Sequence, residues 1–215
     1  MKLFMPLTAV FALLLVPACA QEAAEQASSD MEMAEESMAM DSMAQEPDCF
    51  VRGDLEGRLS SLESATTSFG DVMVKVCYGA PLRRDPNNPE VTREIMGALV
   101  PYDAPWRMGA NEATAIYLSA AASVGGVALD AGAYSIYATP AMGDWTVHIN
   151  SVNERWGIPI GPDVTANDVG SFPVTPGMVG EAVDQLRYTF VDADGGADLV
   201  MEWEQTSISI PFRSS

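Results

Sequence analysis

A short segment rich in glycine and proline, PYDAPWRMGANEAT (residues 101–114), contains side chains suited to ligand recognition. Arginine can bind a carboxylate or phosphate through two parallel hydrogen bonds, asparagine both donates and accepts, glutamate accepts hydroxyl protons, and tryptophan offers a ring face to a sugar. A polar organic ligand or a glycan would suit this set. The candidate ligand-binding residues are Trp106, Arg107, Asn111, Glu112, Tyr102 and Trp156.

The same segment could instead be a structural corner. In that interpretation Trp106 is buried, Arg107 pairs with Glu112 or with Glu202 across strands, and Asn111 bonds the backbone of its own turn. An arginine, an asparagine and a glutamate this close in sequence can satisfy one another's hydrogen bonds without a ligand. Both interpretations remain open at the level of the sequence.

The residues needed for common hydrolytic mechanisms are scarce. His148 is the one histidine, and no G-x-S-x-G segment is present. Glu202 and Glu204 share a predicted strand face, from which they would project in parallel and not flank a substrate bond. The sequence therefore favours a non-enzymatic protein with no catalytic residue and no cofactor. The alternative is an envelope hydrolase that uses carboxylates with Arg107.

Two groups of residues are weak candidates for metal binding, and no metal site is predicted overall. Carboxylates around two glycines could gather calcium, although the segment DADGGAD also reads as a hairpin loop. Thioethers in a flexible arm could chelate Cu(I), although methionine is also tolerated in low-complexity linkers. The calcium candidates are Asp192, Asp194 and Asp198, and the copper candidates are Met31, Met33, Met38, Met40 and Met43.

The N-terminus predicts export. Lys2 precedes an apolar run over residues 3–16, which is too short for a membrane span of about 20 residues and is typical of a signal peptide. Val16-Pro17-Ala18-Cys19 resembles a lipobox, so residues 1–19 are interpreted as a lipoprotein-type signal with lipidation at Cys19. Ordinary cleavage after small residues is the alternative. We expect a lipid anchor in the membrane and an outer-membrane lipoprotein facing the periplasm.

The charge distribution separates a tether from a domain. Residues 20–48 carry nine carboxylates and no Lys or Arg, which predicts a disordered acidic tether rich in methionine. Residues 49–215 have 21 acidic and 10 basic side chains, a net charge of −11, which argues against nucleic acid as a partner. This length suits a single domain.

The cysteines are consistent with an oxidising compartment. If Cys19 is acylated, Cys49 and Cys77 remain as a pair, and a disulfide between them is the simplest assignment. A reactive thiol at Cys77 is the alternative, but it would need a more electropositive environment than one neighbouring lysine supplies.

Apolar and polar residues alternate along most of the domain. The alternation predicts strands from Val72 onward and over residues 114–120, 133–139, 144–150, 185–191, 198–205 and 207–211. Only NPEVTREIMG (88–97) looks helical, with Asn88 as N-cap and Pro89 in the first turn. The sequence therefore predicts an all-β, antiparallel two-sheet β-sandwich, jelly-roll or immunoglobulin-like, with one or two short helices.

Several segments also resemble a known family. They are VCYGAP (76–81), IMGALVPYDAPWRMGANEAT (95–114), AGAYSIYATP (131–140), WTVHIN (145–150), WGIPI (156–160) and LVMEWEQTSISIPF (199–212). In this order they resemble the bacterial domain-of-unknown-function 2911 family (DUF2911) over residues 49–213. The resemblance implies a secreted or lipid-anchored β-domain and no particular activity. We therefore expect a non-catalytic binding or interaction module for a small polar ligand, a glycan or an envelope protein.

Overall fold

The structure is a computed structural model that describes residues 46–215. The signal peptide (1–19), its lipidation site Cys19 and most of the acidic tether lie outside these residues and stay predictions. The same holds for the copper candidates Met31, Met33, Met38, Met40 and Met43. Between residues 46 and 215, no helix is long and apolar enough to cross a membrane.

The described chain forms strands almost throughout. The elements are β1 (Ser61–Phe69), β2 (Val72–Ala80), β3 (Arg84–Asp85), β4 (Asn88–Thr92), β5 (Ala110–Leu118), β6 (Ala122–Val124), β7 (Val127–Leu129), β8 (Gly132–Thr139), β9 (Trp145–Asn150), α1 (Pro162–Thr165), β10 (Asp168–Val174), β11 (Gly177–Ala193) and β12 (Gly196–Ser214).

The strands form two large sheets that are antiparallel throughout. One sheet has six strands in the order β1-β2-β5-β8-β9-β10, and the other has four in the order β11-β12-β6-β7. A small hairpin, β3-β4, forms a third sheet. Apolar side chains from both large sheets are buried in one cluster. The all-β sandwich predicted from the alternation of apolar and polar residues is confirmed.

Strand β2 shows how the alternating pattern builds the core. Val72, Val74 and Val76 are fully buried against the second sheet, whereas Met73 and Lys75 lie on the opposite face. Because successive side chains of a strand point to opposite faces, this local pattern is enough to orient the whole strand.

The predicted disulfide is confirmed. The sulfur atoms of Cys49 and Cys77 are 1.96 Å apart, and the Cα atoms are 5.7 Å apart, a normal separation for a disulfide. Cys77 lies on the outer face of β2, so the bond fastens the segment at residues 46–60 to the six-stranded sheet. We call this segment the N-terminal strap.

Strand β12 is one long strand, although the sequence suggested two. Leu199, Met201 and Trp203 face the core at odd positions, and Ile208 and Ile210 face it at even positions. A shift of one residue normally turns a strand's side chains to the other face. The change coincides with an irregularity at Glu204, whose φ of 56° is left-handed and whose pairing with β11 shifts register. The bulge lets both halves bury their apolar side chains within a single strand.

The helix predicted over residues 88–97 was wrong, because Asn88–Thr92 form β4 and pair with β3. An Asp side chain starts the hairpin, since the Asn87 N–H donates to Asp85 Oδ1 over 2.8 Å. Every residue of β4 is exposed, whereas Ile95 beyond it is buried in the core, so burial in this segment begins only after the hairpin. The described helix α1 lies elsewhere, after the cis Ile158-Pro159 bond.

Candidate functional site

The loop between β4 and β5 is anchored to the sandwich core by its backbone. Trp106 and Ala138 exchange two backbone hydrogen bonds of 2.7 and 2.8 Å. The Tyr188 hydroxyl donates to the Met108 carbonyl over 2.7 Å, and Thr114 Oγ1 donates to the same oxygen over 3.0 Å. The segment is therefore a corner in the structural sense, held by bonds from three strands.

Aromatic packing adds to this anchoring. The rings of Trp106 and Trp203 stack with centroids 6.2 Å apart and planes 16° apart, and Trp145 meets Trp106 edge-on, also at 6.2 Å. All three side chains are buried. Because Trp203 belongs to β12 and Trp145 to β9, the loop is fixed against both large sheets.

A pocket with a volume of about 400 Å³ opens beside this loop. This volume is within the range of small-molecule sites. Its walls come from the N-terminal strap, the segment around the β3-β4 hairpin, the loop, the start of β5, and β12. The lining residues that matter below are Leu59, Leu82, Arg93, Leu99, Trp106, Arg107, Asn111, Ile158 and Trp203. We call this cavity the arginine pocket.

Arg107 lines the pocket without a carboxylate partner. Its Nε donates to the Gly109 carbonyl over 3.1 Å, and its Nη1 reaches the Asn111 carbonyl at 3.5 Å. Between residues 46 and 215, no carboxylate oxygen lies within 4.0 Å of its guanidinium. Burial lowers the pKa of Arg107, and the charge of Glu112 only partly opposes this effect. Its charge is therefore poorly compensated.

Arg93 lines the same pocket and is also bonded to backbone carbonyls. Its Nη2 donates to the Leu82 carbonyl, and its Nε lies 3.4 Å from the Arg83 carbonyl. Within the described part of the chain it has no carboxylate within 4.0 Å. Two arginines bonded only to carbonyl oxygens thus border one cavity.

Glu112 has a different role from the one the sequence suggested. Its carboxylate binds Arg58 through contacts of 2.8 and 2.9 Å and accepts the Arg52 N–H over 2.7 Å. Burial alone would raise the pKa of Glu112, but these hydrogen bonds outweigh it and the pKa lies below its ordinary value. Glu112 therefore fastens the N-terminal strap to β5.

The predicted partners of Arg107 were therefore wrong. Glu112 is bound by Arg58, and Glu202 is bound by Arg187 at 2.7 Å on the second sheet. The sequence suggested one partner for Arg107 within the loop and one across a strand. The actual partner of Glu112 lies 54 residues away in sequence, in the strap, a distance that local spacing cannot reveal.

Of the other predicted site residues, one lines the pocket and two do not. Asn111 lines the pocket, and its Nδ2 lies 3.3 Å from the Ser60 carbonyl. Trp156 is half-buried, pairs through its backbone with Glu112, and does not line the pocket. Tyr102 lies beside Gly97 and also stays outside it.

Left-handed backbone conformations of residues other than glycine cluster at the pocket. Across the described residues they occur at Asp103, Met108, Asn111 and Glu204, with φ between 55° and 63°. Asn111 lines the pocket, and the other three are next to or between lining residues. Such conformations are tolerated by Asp and Asn but cost about 1–3 kcal/mol elsewhere, and they tend to occur at functional sites.

The chain matches the model of a known protein family. The family model described as a protein of unknown function (DUF2911) matches residues 60–212, most of the chain. The chain belongs to the DUF2911 family. No match was found among curated proteins or among solved structures. The match covers both large sheets and the arginine pocket of this DUF2911 domain, apart from Leu59.

Six of the nine pocket residues named above were not predicted from the sequence of this DUF2911 domain, and Arg93 and Trp203 are the two with polar or aromatic side chains. Arg93 lies inside the segment interpreted as a helix, and Trp203 lies in the strand predicted over residues 198–205. The alternation in that strand was a signal for Trp203, because it places this side chain on the same face as Leu199 and Met201. No local signal places Arg93 at the cavity that Arg107 lines.

His148 lies on the outer face of the six-stranded sheet but is not fully exposed to solvent. Its ring stacks on Tyr137 with centroids 4.4 Å apart, and its Nε2 lies 3.2 Å from Thr139 Oγ1. Its Nδ1 is 3.8 Å from Asp168 Oδ2, an oxygen that already accepts the Tyr137 hydroxyl over 2.5 Å. Burial lowers the pKa of His148, and the Asp168 charge only partly opposes this.

We expect the DUF2911 domain to lose stability on mild acidification. Because the pKa of His148 is lower in the folded state, the unfolded chain binds a proton more readily. The contribution is fully present above the ordinary histidine pKa of about 6.5 and is lost as the pH falls towards the lower folded value. Melting temperatures measured from pH 7.5 to 5.5 should fall in the wild type and fall less in His148→Gln. Equal slopes in the two proteins would contradict this role.

The carboxylates proposed for calcium are not gathered into a site. Among residues 46–215, no group of three or more His, Cys, Asp or Glu side chains is placed to hold a metal ion. Asp198 is instead bound to Arg213 at 2.7 Å, and Asp192 and Asp194 lie at the β11–β12 turn. The hairpin interpretation of this segment agrees with the fold.

Proposed function

We propose that this domain is a non-catalytic binding module of the cell envelope and that it takes a small organic anion in the arginine pocket. The observation that carries the proposal is the pair Arg93 and Arg107, which border one cavity without a carboxylate partner among the described residues. An incoming carboxylate could accept hydrogen bonds from both.

The charge of the domain strengthens this proposal. Acidic side chains outnumber basic ones by 21 to 10 over residues 49–215. Among the nine arginines of residues 46–215, five have a carboxylate within 4.0 Å, and the four that have none are Arg52, Arg93, Arg107 and Arg155. Burial lowers the pKa of Arg107, because burying an uncompensated charge is costly, and a ligand carboxylate in the pocket would supply the counter-charge that it lacks.

The rigidity of the site also supports binding. Loops that present hydrogen-bonding side chains on a fixed scaffold are where sandwiches commonly bind ligands. A Cβ at Gly157 would collide with the Arg107 Cδ, so the backbone at Gly157 holds the stem of Arg107 in place. The Gly157 N–H is itself bonded to the Asn111 carbonyl over 2.8 Å. The arginine is therefore oriented before any ligand arrives.

The test uses intrinsic tryptophan fluorescence, because Trp106 and Trp203 both border the pocket. The probes are benzoate and hexanoate, each compared with its neutral amide. We expect the acids to change the emission of the wild type and to bind at least tenfold more weakly to Arg107→Met, since a hydrogen bond to a charged group contributes about 1.5–3 kcal/mol. Methionine keeps the packed stem and removes the charge. Arg93→Met should weaken binding in the same direction.

The matched control is Arg187→Met, which removes one positive charge from a residue that does not line the arginine pocket. Equal weakening in Arg107→Met and Arg187→Met would mean that net charge, and not the pocket, governs the affinity. Equal affinity of an acid and its amide would contradict anion binding. A collapse of thermal stability in Arg107→Met, with no response to any acid in the wild type, would favour a purely structural corner.

The alternative function, an envelope hydrolase using carboxylates with Arg107, has less to support it. Glu112 is occupied by Arg58 and does not line the arginine pocket, and Glu202 is occupied by Arg187. A general acid or base must be within hydrogen-bond reach of the bond it acts on. Turnover of chromogenic esters or glycosides that is lost in Glu112→Gln would favour this alternative.

The proposed location rests on the N-terminal sequence and on the disulfide. A bond between Cys49 and Cys77 is typical of proteins that fold outside the reducing cytoplasm. With lipidation at Cys19, the domain would lie at a membrane surface, joined to it by the acidic tether of 29 residues (20–48). Labelling of the chain with radioactive palmitate, lost in Cys19→Ala, would test the anchor.

A further inference from the structure

We infer that the ligand of the arginine pocket is an amphiphilic acid, with a carboxylate head at Arg93 and Arg107 and an apolar body against the pocket rim. This inference rests on the proposed function and narrows the ligand class. It is drawn from the apolar part of the pocket, which the arginines alone do not explain.

The rim of the pocket is formed by exposed aliphatic side chains. Leu59, Leu82, Leu99 and Ile158 all line the pocket, and each side chain is between 36% and 63% exposed. Across the described chain only eleven large hydrophobic residues are comparably exposed, so more than a third of them surround this one cavity. Exposed apolar side chains that gather in this way mark a binding surface more often than scattered ones do.

The rim side chains come from four separate parts of the chain. Leu59 lies in the N-terminal strap, Leu82 follows β2, Leu99 lies in the loop between β4 and β5, and Ile158 follows Gly157, which packs against Arg107. Local sequence composition therefore does not explain their convergence. The fold brings them together around the arginines, and an apolar body that covers them would remove this surface from water.

The inner part of the pocket offers a flat aromatic wall. Trp106 and Trp203 stack there, and both are almost completely buried. Both side chains line the cavity, so a ligand's apolar body can pack against them.

A chain-length series separates the head group from the apolar body. The probes are straight-chain carboxylates from acetate to decanoate, each below its micelle concentration and titrated by tryptophan fluorescence. If the body lies on the rim, we expect affinity to rise about two- to fourfold per methylene, in line with the burial of one CH₂ group. Decanol should bind at least tenfold more weakly than decanoate, and Arg107→Met should reduce this difference.

A second variant tests the rim directly. Leu99→Ser should flatten the chain-length dependence, because Leu99 belongs to the rim that the apolar body covers in this proposal. Leu55→Ser is the matched control, because Leu55 is 48% exposed, as against 47% for Leu99, and does not line the pocket. Decyl phosphate serves as the other anionic amphiphile, and binding tighter than that of decanoate would overturn the choice of a carboxylate head.

The failures of the two proposals can be told apart. If acetate and decanoate bind equally and both depend on Arg107, the amphiphile is wrong and anion binding stands. If decanol binds as well as decanoate and Arg107→Met changes neither, the pocket is purely apolar and both proposals are wrong. If no probe changes the emission of the folded wild type, both are likewise overturned.

Discussion

Replacing Glu112 by alanine is expected to lower the free energy of unfolding by about 3–5 kcal/mol. Its carboxylate and the Arg58 guanidinium are both largely buried and form two contacts below 3.0 Å. The substitution leaves the guanidinium without its counter-ion and the Arg52 N–H without its acceptor. Urea denaturation monitored by far-ultraviolet circular dichroism gives the change in free energy directly.

The matched control for this prediction is Glu202→Ala. Glu202 also contacts an arginine at 2.7 Å, but Arg187 is 57% exposed, and exposed ion pairs contribute only about 0–1 kcal/mol. A cost below 1 kcal/mol in both variants would show that Glu112 does not fasten the strap. Because the pKa of Glu112 is lowered in the folded state, its contribution is present above the ordinary carboxyl pKa and is lost as the pH falls through the lowered value.

Removal of the disulfide is expected to cost a similar amount. The bond closes a loop with a sequence separation of 28 residues, for which the chain-entropy model gives about 3.5 kcal/mol. The double variant Cys49→Ala/Cys77→Ala should therefore melt well below the wild type in calorimetry. Alanine is chosen because Cys77 is buried, and a hydroxyl at that position would need its own hydrogen bond.

Wild-type protein held in excess reductant is the control for the cysteine variant. It should melt at the temperature of Cys49→Ala/Cys77→Ala, since both lack the cross-link. A melting temperature unchanged by reduction would contradict a stabilising disulfide.

The losses of stability caused by Glu112→Ala and by removal of the disulfide should not be additive. The disulfide and the Glu112–Arg58 pair both fasten the N-terminal strap, so loss of one already frees part of what the other holds. Leu59 and Ser60 belong to the strap and line the arginine pocket. Either change should therefore also weaken the binding of hexanoate, even though neither touches the arginines.

The sequence predicted those parts of the fold that local pattern determines. Alternation in Val72, Val74 and Val76 was sufficient to place β2 with its buried face inward. The sequence-based prediction failed at residues 88–97, where a proline at the start and a glycine at the end looked like helix boundaries, but residues 88–92 pair with β3 in a hairpin. The alternation also predicted two strands in place of β12, because a bulge at Glu204 changes which residues face the core without ending the strand.

Only part of the candidate site could be predicted, because local sequence reveals only residues that are close to one another along the chain. Trp106, Arg107 and Asn111 are close in sequence, and all three line the pocket. Arg58 and Arg93 act on this region from distant positions, one by occupying Glu112 and the other by bordering the cavity. Their placement depends on the long-range pairing of strands. The segment proved to be anchored as a corner and also to border a pocket, so the two interpretations of it are compatible.

The position of β12 determines when the four-stranded sheet can form during synthesis. Residues 196–214 form an inner strand between β11 and β6, so the four-stranded sheet is incomplete until they have left the ribosome. At about 5–20 residues per second, the strands around residue 124 wait several seconds for this partner. During that time their apolar faces have no second sheet to cover them. A nascent chain of this kind leaves apolar strand faces accessible to chaperones until synthesis reaches its last strand.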